Sequence, residues 1–502
     1  MKKFVIILML PIMVLLHGSC DGLLDIEPEN SLTYYNYFKS EQDLEVAMYG
    51  AYEAFRASYR SPSPRATSGE VMDECGDRNI EALRILDATT LTSAVPSCSW
   101  ASHYKTISQA MMVAENLGQA GLSKERHDFW LGQALFYKAI SYFYVVRDWG
   151  DCPYLKESYK VDPEERKPWQ DVLDYAIEDM KQVTELLDFW KNQTDANGDA
   201  VTYRQMVGKE AAYAILAYMY AWKANLSDDE DALQKAIDAA TWVIEKGGIG
   251  FAADPEEVCT EVLMGGHPES IFEIDVDYSD FLFPDVGINL EYYYQTWPIR
   301  PYTEPGDVTG RPMKIRAERV LKMYKEGDKR RDSYFYKPAE YIDTVSTGGW
   351  ALMQRRREVI EDRSFPDFPD FWFKNYAGNI LVTRLADILL LRAECYAKRG
   401  DDNLAKPDLD RVRERAGVPG YTSVEGPIYR MIFEEREKEL LLEKHRWYDM
   451  VRTGYWKTDM TEEYSKLTEQ DVEDGALYLP VYVKAFTSNP LMRQNRYWNK
   501  RY

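Results

Sequence analysis

The chain has 502 residues, 45% hydrophobic and 29% charged, which is ample for a large buried core. Its 83 acidic residues outnumber the 61 basic ones, a net charge of −22, and this disfavours nucleic acids and other polyanions as partners. Sulfated or uronate-rich glycans are disfavoured on the same ground unless a local basic site overrides it. In chain order, Lys2 and Lys3 precede an apolar run from Phe4 to Leu16 that contains Pro11. Roughly a dozen residues fall short of the ~20 that a spanning helix needs, and the run has the form of an export signal. Gly18 and Ser19 stand before Cys20 as in a lipoprotein signal, with His17 in the usual leucine place. Residues 1–19 are read as a signal peptide, Cys20 as a lipidated residue, and 20–37 as an extended linker; a plain secretory signal is the other reading. One acyl chain binds a membrane only marginally and several anchor stably. Removing residues 1–19 takes away two lysines, so the mature charge is 59 − 83, or −24.

From residue 38 to 502 the sequence reads as a single domain, mainly α. Amphipathic helices with regularly spaced small residues are expected over 129–154, 208–225, 228–248, 382–402 and 405–417. Trp149-Gly150-Asp151 and the following Pro153 stop the first of them, and Gly247 caps the third. Helices of Leu, Ala and Tyr alternating with Ala-rich partners follow tetratricopeptide logic, in which stacked pairs bury a shared core. Between about 249 and 380 the pattern changes to a loop-rich insertion with a few short strands, such as 270–276, and clusters of Tyr, Trp, Pro and Gly. Structureless runs of this length are usually functional.

Chemistry-bearing motifs are scarce. There is no G-x-S-x-G and no H-E-x-x-H. The mature histidines, at 103, 127, 267 and 445, lack ligand spacing. No cofactor is expected; DVDYSD at 275–280 has three carboxylates that could hold a structural Ca²⁺, without the glycine and terminal glutamate of an EF-hand loop. Cysteines at 75, 98, 152, 259 and 395 make no zinc or redox spacing, a Cys75–Cys98 bridge stays open, and Cys395 is expected in the core. The charged segment 434–450 looks catalytic, but at helical spacing Glu435, Arg436, Glu439 and Arg446 are expected to tie a helix to the bundle by ion pairs, with Trp447 in the core.

Taken in order, SCDGLLDIEPENSL (19–32), WASHYKTISQAMMVAEN (100–116), VVRDWGDCPY (145–154), ESIFEI (269–274), GDKRRD (327–332), TRLADILLLRAECYAKRGD (383–401), RVRERAG (411–417), EREKELLLEKHRWYDMVRTG (435–454) and LPVYVKAFTSNPLMRQNRYW (479–498) resemble the motifs of the SusD/RagB family of outer-membrane nutrient-binding lipoproteins. His17 and the segment around Val481 depart from the pattern. The resemblance implies a mainly helical fold of tetratricopeptide-like pairs supporting a loop-rich second half. It also implies a lipid-anchored position on the outer face of the outer membrane, a SusC-like TonB-dependent transporter as partner, and an oligosaccharide or polysaccharide as ligand, with no catalysis. A peptide-binding member of the family, a surface glycoside hydrolase and a purely structural scaffold are the rival readings.

The resemblance places ligand contacts in the loop before the 100–116 helix and in the inserted half. Asp73, Asp77, Arg78 and Asn79 supply polar groups suited to hydroxyls, a solvated turn being the other reading, and Trp100 either ends the site or only begins the helix. Tyr292, Tyr294 and Trp297 crowd one run, and at period two they cannot all share an apolar face with Tyr293. Trp350 follows two glycines, and Trp372 lies in an aromatic cluster. Aromatic faces beside polar groups suit sugars.

Overall fold

The computed structural model describes residues 37–60, 64–90, 95–159, 162–276, 289–294, 297–299, 313–342, 347–361, 363–364 and 373–499. Helix α1 (Glu41–Arg60) starts from a reciprocal cap: Ser40 donates from its backbone N and its Oγ to Asp43 Oδ2 at 2.8 and 2.7 Å, and the Asp43 amide donates back to Ser40 Oγ. Then follow α2 (Pro64–Ser68), β1 (Glu74–Cys75), α3 (Arg78–Arg84) and α4 (Ala101–Asn116). Helix α5 (Lys124–Trp149) is capped by Ser123 Oγ and ends at Gly150, whose φ of +71° suits a residue without Cβ. A small ribbon of β2 (Cys152–Pro153) and β3 (Arg166–Lys167) leads into α6 (Trp169–Leu186), α7 (Lys209–Ser227) and α8 (Glu230–Lys246).

Successive helices pack on one another from α4 to α8. Small residues set the spacing: Ala211, Ala214, Ala217 and Ala221 are buried on α7, and Ala232, Ala236 and Ala240 on α8. This is the mainly α architecture the sequence led us to expect. No helix among the described residues is long and apolar enough to cross a membrane.

Past α9 (Pro255–Thr260), β4 (Ser270–Ile274) leaves the bundle. The stretch 275–379 then carries β5 (Met313–Lys314), α10 (Ala317–Met323), α11 (Arg330–Tyr334), β6 (Phe335–Tyr336), β7 (Leu352–Met353), β8 (Val359–Glu361) and β9 (Phe373–Tyr376). The chain returns as β10 (Ile380–Arg384), antiparallel to β4 with Ile380 opposite Ile274 and Arg384 opposite Ser270. Both strands are buried throughout. The expected helix from 382 therefore begins later, as α12 (Leu385–Arg399), because Val382–Arg384 complete the ladder to β4. Elsewhere β1 pairs with β5, β6 with β7 and β8 with β9.

Helices α13 (Asp402–Arg415), α14 (Ile428–Glu439) and α15 (Arg446–Thr453) complete the frame. The helix expected over 434–450 is broken: Leu442 and Lys444 are left-handed, at φ +63° and +66°. Their backbone N–H groups donate to the buried Glu70 carboxylate at 3.1 and 3.0 Å, which holds the break open. The ion pairs on either side reach across the molecule. Glu435 meets Arg330 and Arg413; Glu439 meets Arg330, Arg384 and Arg415. Arg384 also holds Glu269 and Glu443, and Arg355 joins Glu443 to Glu291. Arg436 bridges Asp387 and Asp449, and Arg452 bridges Asp449 and Glu394. Arg446 pairs with Glu437, and Trp447 is fully buried.

The main core joins both ends of the chain: Phe55, Phe136 and Trp149 share it with Tyr464, Leu479 and Trp498. A smaller core gathers Val71, Met72, Ile80, Tyr294, Met313, Tyr324 and Phe335. All five described cysteines are free thiols, so Cys75 and Cys98 are not bridged; Cys395 is buried, as expected.

Candidate functional site

Several of the predicted site residues gather around the smaller core. Asp73 extends the β1–β5 ribbon, its amide donating to Lys314 O at 2.8 Å. Its carboxylate accepts from the Arg316 amide at 2.7 Å and from Arg319 Nη1 at 2.9 Å. Glu74, next along, accepts from Lys314 Nζ at 2.5 Å. Arg316 continues from β5 and makes an isolated bridge to Trp350. Its guanidinium lies 3.6 Å above the Trp350 ring, with Nη1 donating to Gly348 O at 2.8 Å. Gly348 and Gly349, at φ +60° and +80°, make the turn that swings Trp350 onto Arg316, and a Cβ at Gly349 would stand 2.9 Å from Ile342 O. Asp73 and Trp350, 277 positions apart by number, thus meet through one arginine.

Asp77 and Asn79 have a structural share. Asp77 Oδ1 accepts from the Asn79 and Ile80 amides at 2.9 and 3.0 Å, capping α3, with Arg78 exposed at its first position. Tyr292 is half-buried and stacks on Phe373 at 6.1 Å. Tyr294 is 5% exposed, a member of the smaller core whose hydroxyl has no hydrogen-bond partner. Trp297 is half-buried and stands edge-on to Tyr336 at 5.0 Å, and Tyr336 lies 6.3 Å from Tyr341. Trp100 is placed apart from these, packed against Tyr104 and Trp149 in the main core at 8% exposure. Trp372 and Cys20 lie outside the described residues, as do positions 277–280 of the candidate Ca²⁺ loop; Asp275 Oδ1 accepts from Asn379 at 2.7 Å.

Arg316, Arg319, Tyr336 and Tyr341 belong to this surface and sequence reasoning did not single them out. The sequence held a signal for both tyrosines, since SYFYKPAEY (333–341) is one of the aromatic clusters of the insertion. One further group has metal-ligand character among the described residues, Glu257, Glu261 and His267. Here the Glu269 amide donates to His267 Nδ1 at 3.0 Å, and Nε2 lies 3.2 Å from Glu257 Oε1.

The model of the SusD family matches residues 365–498, and a second, described as starch-binding associating with outer membrane, matches residues 23–221. "SusD-like protein P38" of Formosa agariphila is 23% identical over 95% of each chain. A crystal structure of a SusD homolog from Bacteroides thetaiotaomicron superimposes with a TM-score of 0.75 at 20% identity, over 91% of this chain and 98% of that one. This is a SusD-like protein. Another similar structure, surface glycan-binding protein A from Bacteroides thetaiotaomicron in complex with laminarihexaose, has a TM-score of 0.71 at 19% identity, over 91% of this chain and all of the other.

In the SusD-like protein the described residues of the two matched stretches supply most of the helical frame, α8 lying between them, and share the main core. Asp73, Asp77, Arg78, Asn79 and Trp100 fall inside the first, whereas Tyr292, Tyr294, Trp297, Arg316 and Trp350 fall between the two. The candidate surface is therefore built where a shared element, β1, meets the unmatched insertion through β5.

Proposed function

We propose that this SusD-like protein is a non-catalytic, lipid-anchored protein of the outer cell surface. It captures an oligosaccharide or polysaccharide and delivers it to a SusC-like TonB-dependent transporter. The observation that carries the capture step is the run of half-buried rings Trp297, Tyr336 and Tyr341 on the inserted half. A pyranose offers a C–H face to such rings and a rim of hydroxyls to planar polar groups. The Arg316 and Arg319 guanidiniums of the inserted half, and the Asp73 carboxylate that they meet from the β1 side, supply polar groups of that kind. Trp350 contributes as a buttress under Arg316, which orients the guanidinium. The relatives described as starch-binding and as bound to laminarihexaose support a glycan as the ligand class. Acylation at Cys20 would hold the protein at the membrane, since more than one acyl chain makes a lasting anchor.

Native affinity electrophoresis of the lipid-free protein, residues 21–502, through gels holding plant, host and microbial polysaccharides tests this. One glycan is expected to retard the protein, and Trp297→Ala is expected to abolish the retardation. Trp350→Ala is expected to weaken it several-fold by releasing Arg316. Retardation by no glycan, with binding to a peptide library instead, would overturn the reading.

A further inference from the structure

A cleft of about 840 Å³ lies where the start of α6 meets the C-terminal segment 472–496. Small-ligand sites usually occupy about 300–1,000 Å³. Glu165, Trp169 and Gln170 line it from the first side, and Glu473, Arg493 and Arg496 from the second. It shares no lining residue with the surface of Trp297, Tyr336 and Trp350.

Arg166 of β3 locks the two sides together. Its guanidinium donates to Asp151 O at 2.7 Å and Trp149 O at 3.2 Å, and across to Arg493 O at 3.0 Å and Asn495 Oδ1 at 2.6 Å. The Trp169 amide donates to Asp151 Oδ1 at 2.9 Å, which fixes the start of α6 on the same support. The cleft is thus formed in the absence of any ligand.

Its lining holds one free ring and several planar polar groups that are not in use. Trp169 is half-buried, and among the described residues no ring or cation stacks on it and its Nε1 makes no hydrogen bond. The other ring of the lining, Tyr478, is packed on Gly150, where a Cβ would stand 2.8 Å from its Cε2. Glu165, Gln170, Glu473 and Arg496 are exposed, and among the described residues their side chains make no hydrogen bond or ion pair. Arg493 commits only Nη1, to the carbonyls of Pro490 and Met492. A carboxylate only accepts and a guanidinium only donates, whereas a hydroxyl does both. Groups of the two kinds that are not paired with each other therefore suit a ligand rich in hydroxyls. The lining has four carboxylates against three guanidiniums, so no positive excess favours a phosphate, sulfate or uronate.

We propose that this cleft is a second carbohydrate site, which takes a neutral oligosaccharide with a pyranose on Trp169 and its hydroxyls on the polar groups around it. The inference rests on the glycan reading above and adds a site carried by the frame. With one free ring where the insertion offers Trp297, Tyr336 and Tyr341, it is the weaker of the two and does not retard the protein in a gel by itself.

Equilibrium dialysis of residues 21–502 against neutral hexasaccharides of glucose, mannose and xylose at millimolar concentration tests this. The unaltered protein is expected to take up one molecule at the Trp297 surface and a second in the cleft. Trp297→Ala is expected to keep the second, and Trp297→Ala combined with Trp169→Ala to lose both. Trp169 also packs on the main core, so Arg496→Ala, at an exposed and unpartnered side chain, is the second probe. Combined with Trp297→Ala it is expected to weaken the remaining uptake several-fold. Uptake by the unaltered protein with none by Trp297→Ala would overturn the proposal and leave the glycan reading standing. Uptake of no sugar by the unaltered protein would overturn both. Sugar uptake unchanged by Trp169→Ala and Arg496→Ala, with loss of co-purification with the transporter, would overturn the proposal in favour of a protein-docking surface.

Discussion

Glu269 is fully buried, with Arg384 Nη1 and Arg415 Nη1 each 2.8 Å from its carboxylate and the Ala252 amide at 2.8 Å. Burial works against its charge, but the Arg415 and Arg384 guanidiniums outweigh that and hold the pKa down at about 2, against an ordinary 4.5. A depressed folded-state pKa gives stability that is complete above the unfolded value and lost as pH falls through the folded one. Urea midpoints are therefore expected to fall between pH 4.5 and about 2 in the unaltered protein. Glu269→Gln is expected to cost about 3–5 kcal/mol at pH 7, because it breaks a buried pair on one side only, and to flatten the midpoint curve in the acid window. A midpoint at pH 7 unchanged by the substitution would contradict this account. At the same scale, the candidate site was legible where an aromatic or acidic residue stood in a turn-rich stretch, as with Asp73, Trp297 and Trp350. Arg316, which joins two of them, was not, because nothing local distinguishes it from other exposed arginines. Trp100 could be read either way from sequence: the residue that opens a helix faces in or out according to what packs there, and Trp149 packs there.

Among the elements, α2 is the shortest with a large consequence. It leads to Gly69, where a Cβ would stand 2.6 Å from the backbone N of Trp447 and 2.7 Å from its Cα. The obstacle is main chain, which cannot rotate away, so Gly69→Ala is expected to destabilise by about 1–3 kcal/mol. Thermal unfolding followed by circular dichroism reads this directly, and a variant that melts with the parent would show that α15 can shift. The helical frame was legible because α8 keeps a 3.6-residue apolar period over four turns, while α5 and α7, buried almost all round, are apolar runs too long for strands. Two boundaries were not. Residues 380–384 form a short apolar run that carries no period of its own, and only the partner strand β4 decides its state. Residues 440–445, LLLEKH, favour helix by composition, yet the Glu70 carboxylate captures two of their amides and the arginines 355 and 384 capture Glu443. Tertiary partners far away in sequence override local preference at both places.

At the scale of the whole molecule, the chain's two ends form one core. Arg65, fully buried, donates to Tyr464 Oη and to the carbonyls of Ala476 and Tyr478. Trp498 Nε1 donates to Tyr478 O at 2.8 Å. A chain ended at residue 460 would leave Arg65 without these acceptors and open the core at Leu479 and Trp498. Such a truncation is expected to lose the cooperative melting transition of the full chain, and a sharp transition retained by it would refute a shared core. The ribbon of β4 and β10 carries a different consequence. Strands that pair side by side keep about the same 4.8 Å separation whatever length of chain joins their far ends, and closing a longer loop costs only ~0.6 kcal/mol per doubling. The intervening cassette has to meet few demands: a partner strand for β1, and side chains such as Arg330 and Arg355 to receive the carboxylates of the frame. Within those limits it can be exchanged wholesale, so a lineage carrying this fold can change what it grips while inheriting the helices intact.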